Sequence, residues 1–212
     1  AHLHLGGYGL SLAQVPVETA TPAEALERVA ERARQAPAGS WITGRGWNHN
    51  VWGGAFPAAA DLDAVAPDHP VYLVTKSGHA AWANSAALRE AGVTAATPDP
   101  AGGLLLRDAE GAPTGILLEE AMGLVARHVP EPTLDDMVAG LRRACDAAAR
   151  AGLTGVHDMD GTLAFRGEQA LHERGELPLR VVKAIPYEAL DEALAVGLRS
   201  GYGDDTLRLG PV

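Results

Sequence analysis

From Thr133 onward the chain alternates helix and strand, and this alternation restricts the fold more than any other feature. Thr133 caps a helix whose apolar face carries Leu134, Met137, Val138, Leu141, Cys145 and Ala148, and Gly152 terminates it. A strand follows over 153–157, then helical spacing around 163–174 closed by Gly175, a strand over 179–185, a helix over 187–200 closed by Gly201, and a strand over 207–212. Three strands separated by helices of this length imply parallel βαβ units, arranged either as a barrel or as a doubly wound sheet. No Gly-x-Gly-x-x-Gly follows any of these strands, which counts against a dinucleotide-binding sheet.

The N-terminal stretch Ala1-His2-Leu3-His4-Leu5-Gly6-Gly7 supplies the chemistry. If residues 1–5 form a strand, side chains alternate, and His2 and His4 project from the face opposite Leu3 and Leu5. That spacing suits a two-imidazole metal grip, and it also suits an ordinary polar strand end. In a parallel α/β barrel the site lies at the C-terminal ends of the strands, so His2, His4 and the later pair His157-Asp158 point to one rim. His157 and Asp158 either reach the site or hydrogen-bond its ligands from behind.

Composition narrows the partners. Acidic residues outnumber basic ones 27 to 17, the formal charge is −10, and no block of like charge occurs, so nucleic acid and anionic membranes are not expected partners. The single cysteine, Cys145, precludes an internal disulfide and suits a reducing, cytoplasmic setting; within an alanine-rich helix it reads as a small buried hydrophobe. No apolar run is long enough to cross a membrane as a helix. The chain starts at the histidine pair without Met and stops on a strand, and we expect a segment of a longer protein.

Between these parts the pattern breaks. Thr21 and Pro22 open a helix with Leu26, Val29, Ala30 and Ala33 on one face, completing with the opening strand a first unit over 1–38. Over 39–130, Trp41, Trp47, Trp52, Tyr72 and Trp82 concentrate among glycines and prolines, as expected of an inserted lid subdomain, and the barrel then resumes over 131–212. In the insertion, Val71-Tyr72-Leu73-Val74 reads as a strand, Asn84 as the cap of a helix over 85–91, and Leu104-Leu105-Leu106 with Ile116-Leu117-Leu118 as a hairpin; a helix is expected over 119–129. His79 either braces a turn or reaches a substrate, Trp47 and Trp82 line a pocket or form the subdomain core, and Glu119 and Glu120 serve a site or a helix dipole. His49, His69, His128 and His172 read as solvated or structural.

The blocks His2-Leu3-His4, Trp41-Ile42-Thr43-Gly44-Arg45-Gly46-Trp47, Ser77-Gly78-His79-Ala80-Ala81-Trp82-Ala83-Asn84, Pro113-Thr114-Gly115-Ile116-Leu117, Gly152-Leu153-Thr154-Gly155-Val156-His157-Asp158 and Leu207-Arg208-Leu209-Gly210-Pro211-Val212, in this order, resemble the amidohydrolase family 3 branch of the metal-dependent amidohydrolases, which includes the N-substituted formamide deformylases. The resemblance implies the first part of a (β/α)8 barrel, about strands 1 to 4, with a large α+β insertion after the first strand-helix unit. It implies His2 and His4 as ligands of one or two divalent ions, zinc foremost; His79, Trp47 and Trp82 stand beside them as candidate substrate contacts, and His157 and Asp158 as candidates behind the ligands. The implied reaction is hydrolysis of a carbon–nitrogen bond in a small-molecule amide by hydroxide from a metal-bound water. The family's remaining ligands and its catalytic Asp match nothing in these 212 residues, so no general base is assigned and the segment alone is expected to be inactive. Ester or cyclic substrates, or a non-catalytic regulatory relative, are the alternatives, with a homo-oligomer left open.

Overall fold

A computed structural model describes residues 1–210; Pro211 and Val212, counted above in the last strand, lie outside the described residues. Two compact units emerge, one from Ala1–Ala13 with the chain after Glu131, the other from Gln14–Glu131. In chain order the first unit begins with β1 (His2–Leu3) and α1 (Leu5–Ser11). The second contains β2 (Val15–Pro16), α2 (Pro22–Gln35), β3 (Ile42–Trp47), α3 (Ala59–Asp63), β4 (Val71–Thr75), β5 (Ala80–Ala83), α4 (Ser85–Glu90), β6 (Gly103–Arg107), β7 (Pro113–Glu119) and α5 (Gly123–Ala126). The first then resumes with α6 (Leu134–Arg150), β8 (Gly155–Asp158), α7 (Thr162–Glu173), β9 (Arg180–Lys183), α8 (Leu190–Ala195) and β10 (Leu207–Leu209).

The expected βαβ alternation yields a four-stranded sheet in the order β1-β8-β9-β10, parallel throughout. Helix α6 starts where Thr133 and Asp136 cap each other reciprocally, and its apolar stripe packs Met137, Leu141, Ala144 and Cys145 with Val156, Val181 and Leu207 of the strands. Each fully buried leucine in this core contributes about 1.5–3 kcal/mol. The other sheet face carries the row His2, His157, Val182 and Arg208, which the register sets side by side; His2, His157 and Arg208 are exposed.

The opening strand is shorter than alternation suggested. It ends at Leu3, and Gly6, Gly7 and Gly9 lie inside α1 rather than at a sharp exit. Tertiary packing outweighs the low helix propensity of glycine here, because a Cβ on Gly9 would stand 2.2 Å from the carbonyl oxygen of Gly140 on α6.

The second unit holds a six-stranded mixed sheet, β2-β3-β4-β5-β7-β6. Its strand, hairpin and cap at Val71, Leu105/Leu117 and Asn84 follow the sequence pattern: Leu105 pairs with Leu117, and the Asn84 amide oxygen accepts from Ala87 and Val71 while its Nδ2 donates to Ala66 and His69. Its boundary, however, falls at Gln14 rather than after residue 38. The cause is α2, which seats Ala25 and Val29 in the core with Val15, Val17 and Ile42 and so folds with the inserted unit. Two helices are also shorter than expected. Glu119 closes β7 before a 3-10 turn at Glu120–Met122, and the helix expected over 187–200 reduces to a 3-10 turn and α8.

Candidate metal and substrate sites

In the first unit, His2 and His4 flank the end of β1. Their rings stand edge to face with centroids 6.1 Å apart, and His4 also serves as the N-cap position of α1. Two aspartates from the end of β8 hold this junction. The Asp158 carboxylate accepts from Leu5 N at 2.8 Å, and Asp160 accepts from Gly7 N at 2.9 Å, so two orphan amides at the start of α1 are satisfied by negative charge. Asp160 also meets His4 Nδ1 at 3.0 Å. A carboxylate accepts from Nδ1–H, and in the neutral ring of that tautomer the lone pair lies on Nε2.

Beneath them lies a buried ion pair. Lys183 Nζ, from the end of β9, donates to Asp158 at 2.6 Å and also to the Asp160 carbonyl; the Lys183 and Asp158 side chains are 1% and 0% exposed. Glu168 of α7 is buried nearby with both carboxylate oxygens lacking a hydrogen-bond partner among the described residues. Burial first, and then the negative charge of Asp158, push its carboxyl up to about 9, so it is neutral at pH 7. His157 sits beside His2 on the exposed sheet face, donating its backbone N–H to Ala1 at 2.6 Å, whereas Asp158 points into the protein.

Two adjacent imidazoles, one with a fixed tautomer, fit part of a divalent-metal donor set. Among the described residues they do not form a complete one, since no group of three His, Cys, Asp or Glu is placed to hold an ion.

In the second unit a hollow of about 490 Å³ is lined by Trp47, His49, Phe56, Lys76, His79 and Glu119 among others. His79 is exposed, and its Nδ1 lies 2.9 Å from the Glu119 carboxylate. Glu119 is the one non-glycine among the described residues with positive φ, at φ 50° and ψ −125°. Such a conformation costs about 1–3 kcal/mol, whereas an exposed side-chain contact of this kind returns at most about 1 kcal/mol. Trp47 is fully buried behind the hollow, in the core of this unit, with its indole N–H bound to Leu73 O at 2.9 Å. Trp82 is fully buried, donates to Ala58 O at 2.8 Å and packs edge-on against Trp47 and Trp52 within the core.

Sequence reasoning passed over Asp160, Lys183, Glu168 and Phe56, and read His49 as solvated or structural. A signal existed for two of them. Asp158-x-Asp160 follows a strand end that already carries a histidine, and Lys183 interrupts an apolar strand between Val182 and Ala184, where a charge must be exposed or paired. Cys145 is buried as expected, and burial raises its thiol to about 11.

Known proteins share this architecture. The solved structure of an uncharacterized metal-dependent hydrolase from Pyrococcus horikoshii OT3 superimposes with a TM-score of 0.71 at 26% identity, over 100% of this chain and 41% of that one. A second, from Pyrococcus furiosus, gives 0.70 at 26% identity, covering 98% of this chain and 41% of that one. The putative amidohydrolase YtcJ of Bacillus subtilis is 35% identical over 90% of this chain and 38% of its own. The N-substituted formamide deformylase of Arthrobacter pascens is 37% identical over 74% and 31%, and the protein LONG AFTER FAR-RED 3 of Arabidopsis thaliana 41% over 75% and 27%. The chain thus spans less than half the length of these relatives. Residues 1–212 match the amidohydrolase family, and the chain belongs to it, in the family 3 branch that the ordered sequence blocks indicated.

Proposed function

We propose that this chain is the part of a metal-dependent hydrolase that supplies four neighbouring strands of a (β/α)8 barrel and the first two ligands of its metal centre. The observation that carries the reading is the placement of His2 and His4 at the end of the edge strand of an all-parallel sheet, with Asp160 fixing the His4 tautomer. Parallel sheets are normally covered on both faces. The exposed row His2, His157 and Arg208 fits the inward face of a barrel, where side chains of further strands would meet it.

His2 and His4 would hold a divalent ion, zinc or a similar metal, through ring nitrogens. Such an ion supplies a Lewis acid and lowers the pKa of water bound to it. Asp160 keeps the His4 lone pair on Nε2, and the Asp158–Lys183 pair holds the β8 and β9 ends that carry it. The substrate in this reading is a small-molecule amide cleaved at a carbon–nitrogen bond, and the second unit contributes substrate contacts.

Metal analysis of the whole protein tests the assignment. His2→Ala and His4→Ala are expected to lose bound metal, and Asp160→Ala to weaken metal affinity by about 10–100-fold. Unchanged metal content in both histidine variants refutes the ligand assignment. Turnover of esters but not of matched amides refutes the bond assignment alone.

A further inference from the structure

Helix α7 carries one residue out of pattern. Its buried face is Ala164, Gly167, Glu168 and Leu171, spaced as an apolar stripe, yet Glu168 is a carboxylic acid at 0% exposure. Packing around this stripe is close: a Cβ on Gly167 would stand 2.7 Å from Leu141 Cδ1, and one on Gly6 of α1 would stand 2.8 Å from Ala164 Cβ. An aliphatic side chain would fill the position without the cost of burying an acid, so packing does not account for a glutamate.

Neither carboxyl oxygen of Glu168 has a donor among the described residues, and native proteins rarely leave such atoms unmatched. What the group meets is the side chain of Asp158, itself 0% exposed. Two carboxylates both accept, so this contact is a hydrogen bond only when one of them carries a proton. The surrounding donors decide which. Asp158 Oδ1 accepts from Leu5 N at 2.8 Å, and its Oδ2 accepts from Lys183 Nζ at 2.6 Å and from Asp160 N at 3.2 Å, so its charge is held by three donors. Lys183 is thereby matched, and an ionised Glu168 would be a second buried charge without compensation. The other titratable groups facing it, Asp160 at the end of β8 and Cys145 on α6, bring no positive charge.

We propose that Glu168 is a positioning residue of the metal site: its protonated carboxyl donates to the Asp158 carboxylate and holds it against Leu5 N, the amide that follows His4. Asp158 is then gripped by α7, β9 and the start of α1 together, and the junction where β1 presents His4 is fixed from behind. The hydrogen bond stands on the geometry alone; its consequence for the metal rests on the ligand reading above.

Infrared difference spectra of the whole protein test the bond. A protonated-carboxyl C=O band is expected at pH 7, lost in Glu168→Gln and shifted in Asp158→Asn. Zinc affinity and melting temperature test the consequence. Glu168→Gln keeps a donor in its NH2 group and should hold zinc within about twofold of the parent, whereas Glu168→Met fills the space without a donor and should weaken zinc by about tenfold. The methionine variant should melt no lower than the parent at pH 7, since it removes a buried acid. A merely structural glutamate would change melting and leave zinc affinity alone. The proposal is overturned if Glu168→Gln loses no such band, if Asp158→Asn leaves the band in place, if Glu168→Met binds zinc as the parent does, or if the glutamine and methionine variants weaken zinc equally. Retention of metal by His2→Ala and His4→Ala would refute the ligand reading, while the infrared band would still decide the bond between Glu168 and Asp158, so the two fail separately.

Discussion

Replacing Lys183 by Met removes one member of a pair that the fold cannot easily spare. The ammonium is 2.6 Å from Asp158, both side chains are essentially inaccessible, and the same nitrogen also holds the Asp160 carbonyl. Methionine fills the volume and supplies no charge. The Asp158 carboxylate then keeps the Leu5 and Asp160 amides as donors but loses its counter-charge, in a pocket where solvent does not screen it. Breaking a buried pair in this way costs about 3–5 kcal/mol. At about 2–4 °C per kcal/mol for a chain of this size, the melting temperature should fall by roughly 6–20 °C. Urea unfolding followed by circular dichroism reads the change directly. The double variant Lys183→Met/Asp158→Asn removes the uncompensated charge while leaving an oxygen for Leu5 N, and should recover at least half of the loss. A single variant within about 1 kcal/mol of the parent, or a double variant less stable than the single, would show that the pair is not what couples β8 to β9.

Two further outcomes follow from packing and titration. Gly9→Ala forces a Cβ to within 2.2 Å of the Gly140 carbonyl oxygen, backbone that cannot rotate away, and should cost at least about 1–3 kcal/mol. Gly123→Ala, helical and with open space around the new methyl, should be neutral or slightly stabilising by thermal melt; equal effects would sink the close-packing account of α1 on α6. Glu168 is ordinarily ionised above 4.5 but titrates near 9 in the folded protein, so the fold holds a proton that the unfolded chain releases. Stability from this group is full below about pH 4.5 and is lost as pH rises toward about 9, with a slope of at most about 1.4 kcal/mol per pH unit. Glu168→Gln should flatten that decline, and parallel urea midpoints for parent and variant between about pH 5 and pH 8.5 would refute it.

The parts of the fold that were legible in the sequence are those set by neighbours along the chain. Thr133 with Asp136, the stripe through Met137 and Leu141, and the Leu105/Leu117 hairpin follow from capping chemistry and periodicity, which act over a few residues. His2 and His4 were visible as a pair for the same reason, since strand geometry relates positions two apart. What periodicity could not decide was decided by contacts across the sequence. Gly6, Gly7 and Gly9 have weak helix propensity, and their helix forms because Gly140 admits a close approach and two distant aspartates cap its start. Helix α2 joins the inserted unit because its apolar face matches that core, a choice that spacing leaves open.

The sequence alone therefore determined the alternating α/β class, the histidine pair and the family. Only the tertiary structure decided that Asp160 meets His4 Nδ1, that Lys183 is buried against Asp158, and that Glu119, at positive φ, meets His79 Nδ1. The reason is range. Propensity and capping are properties of a few consecutive residues, whereas the polarity of a site depends on which side chains meet after folding, here 156, 25 and 40 residues apart.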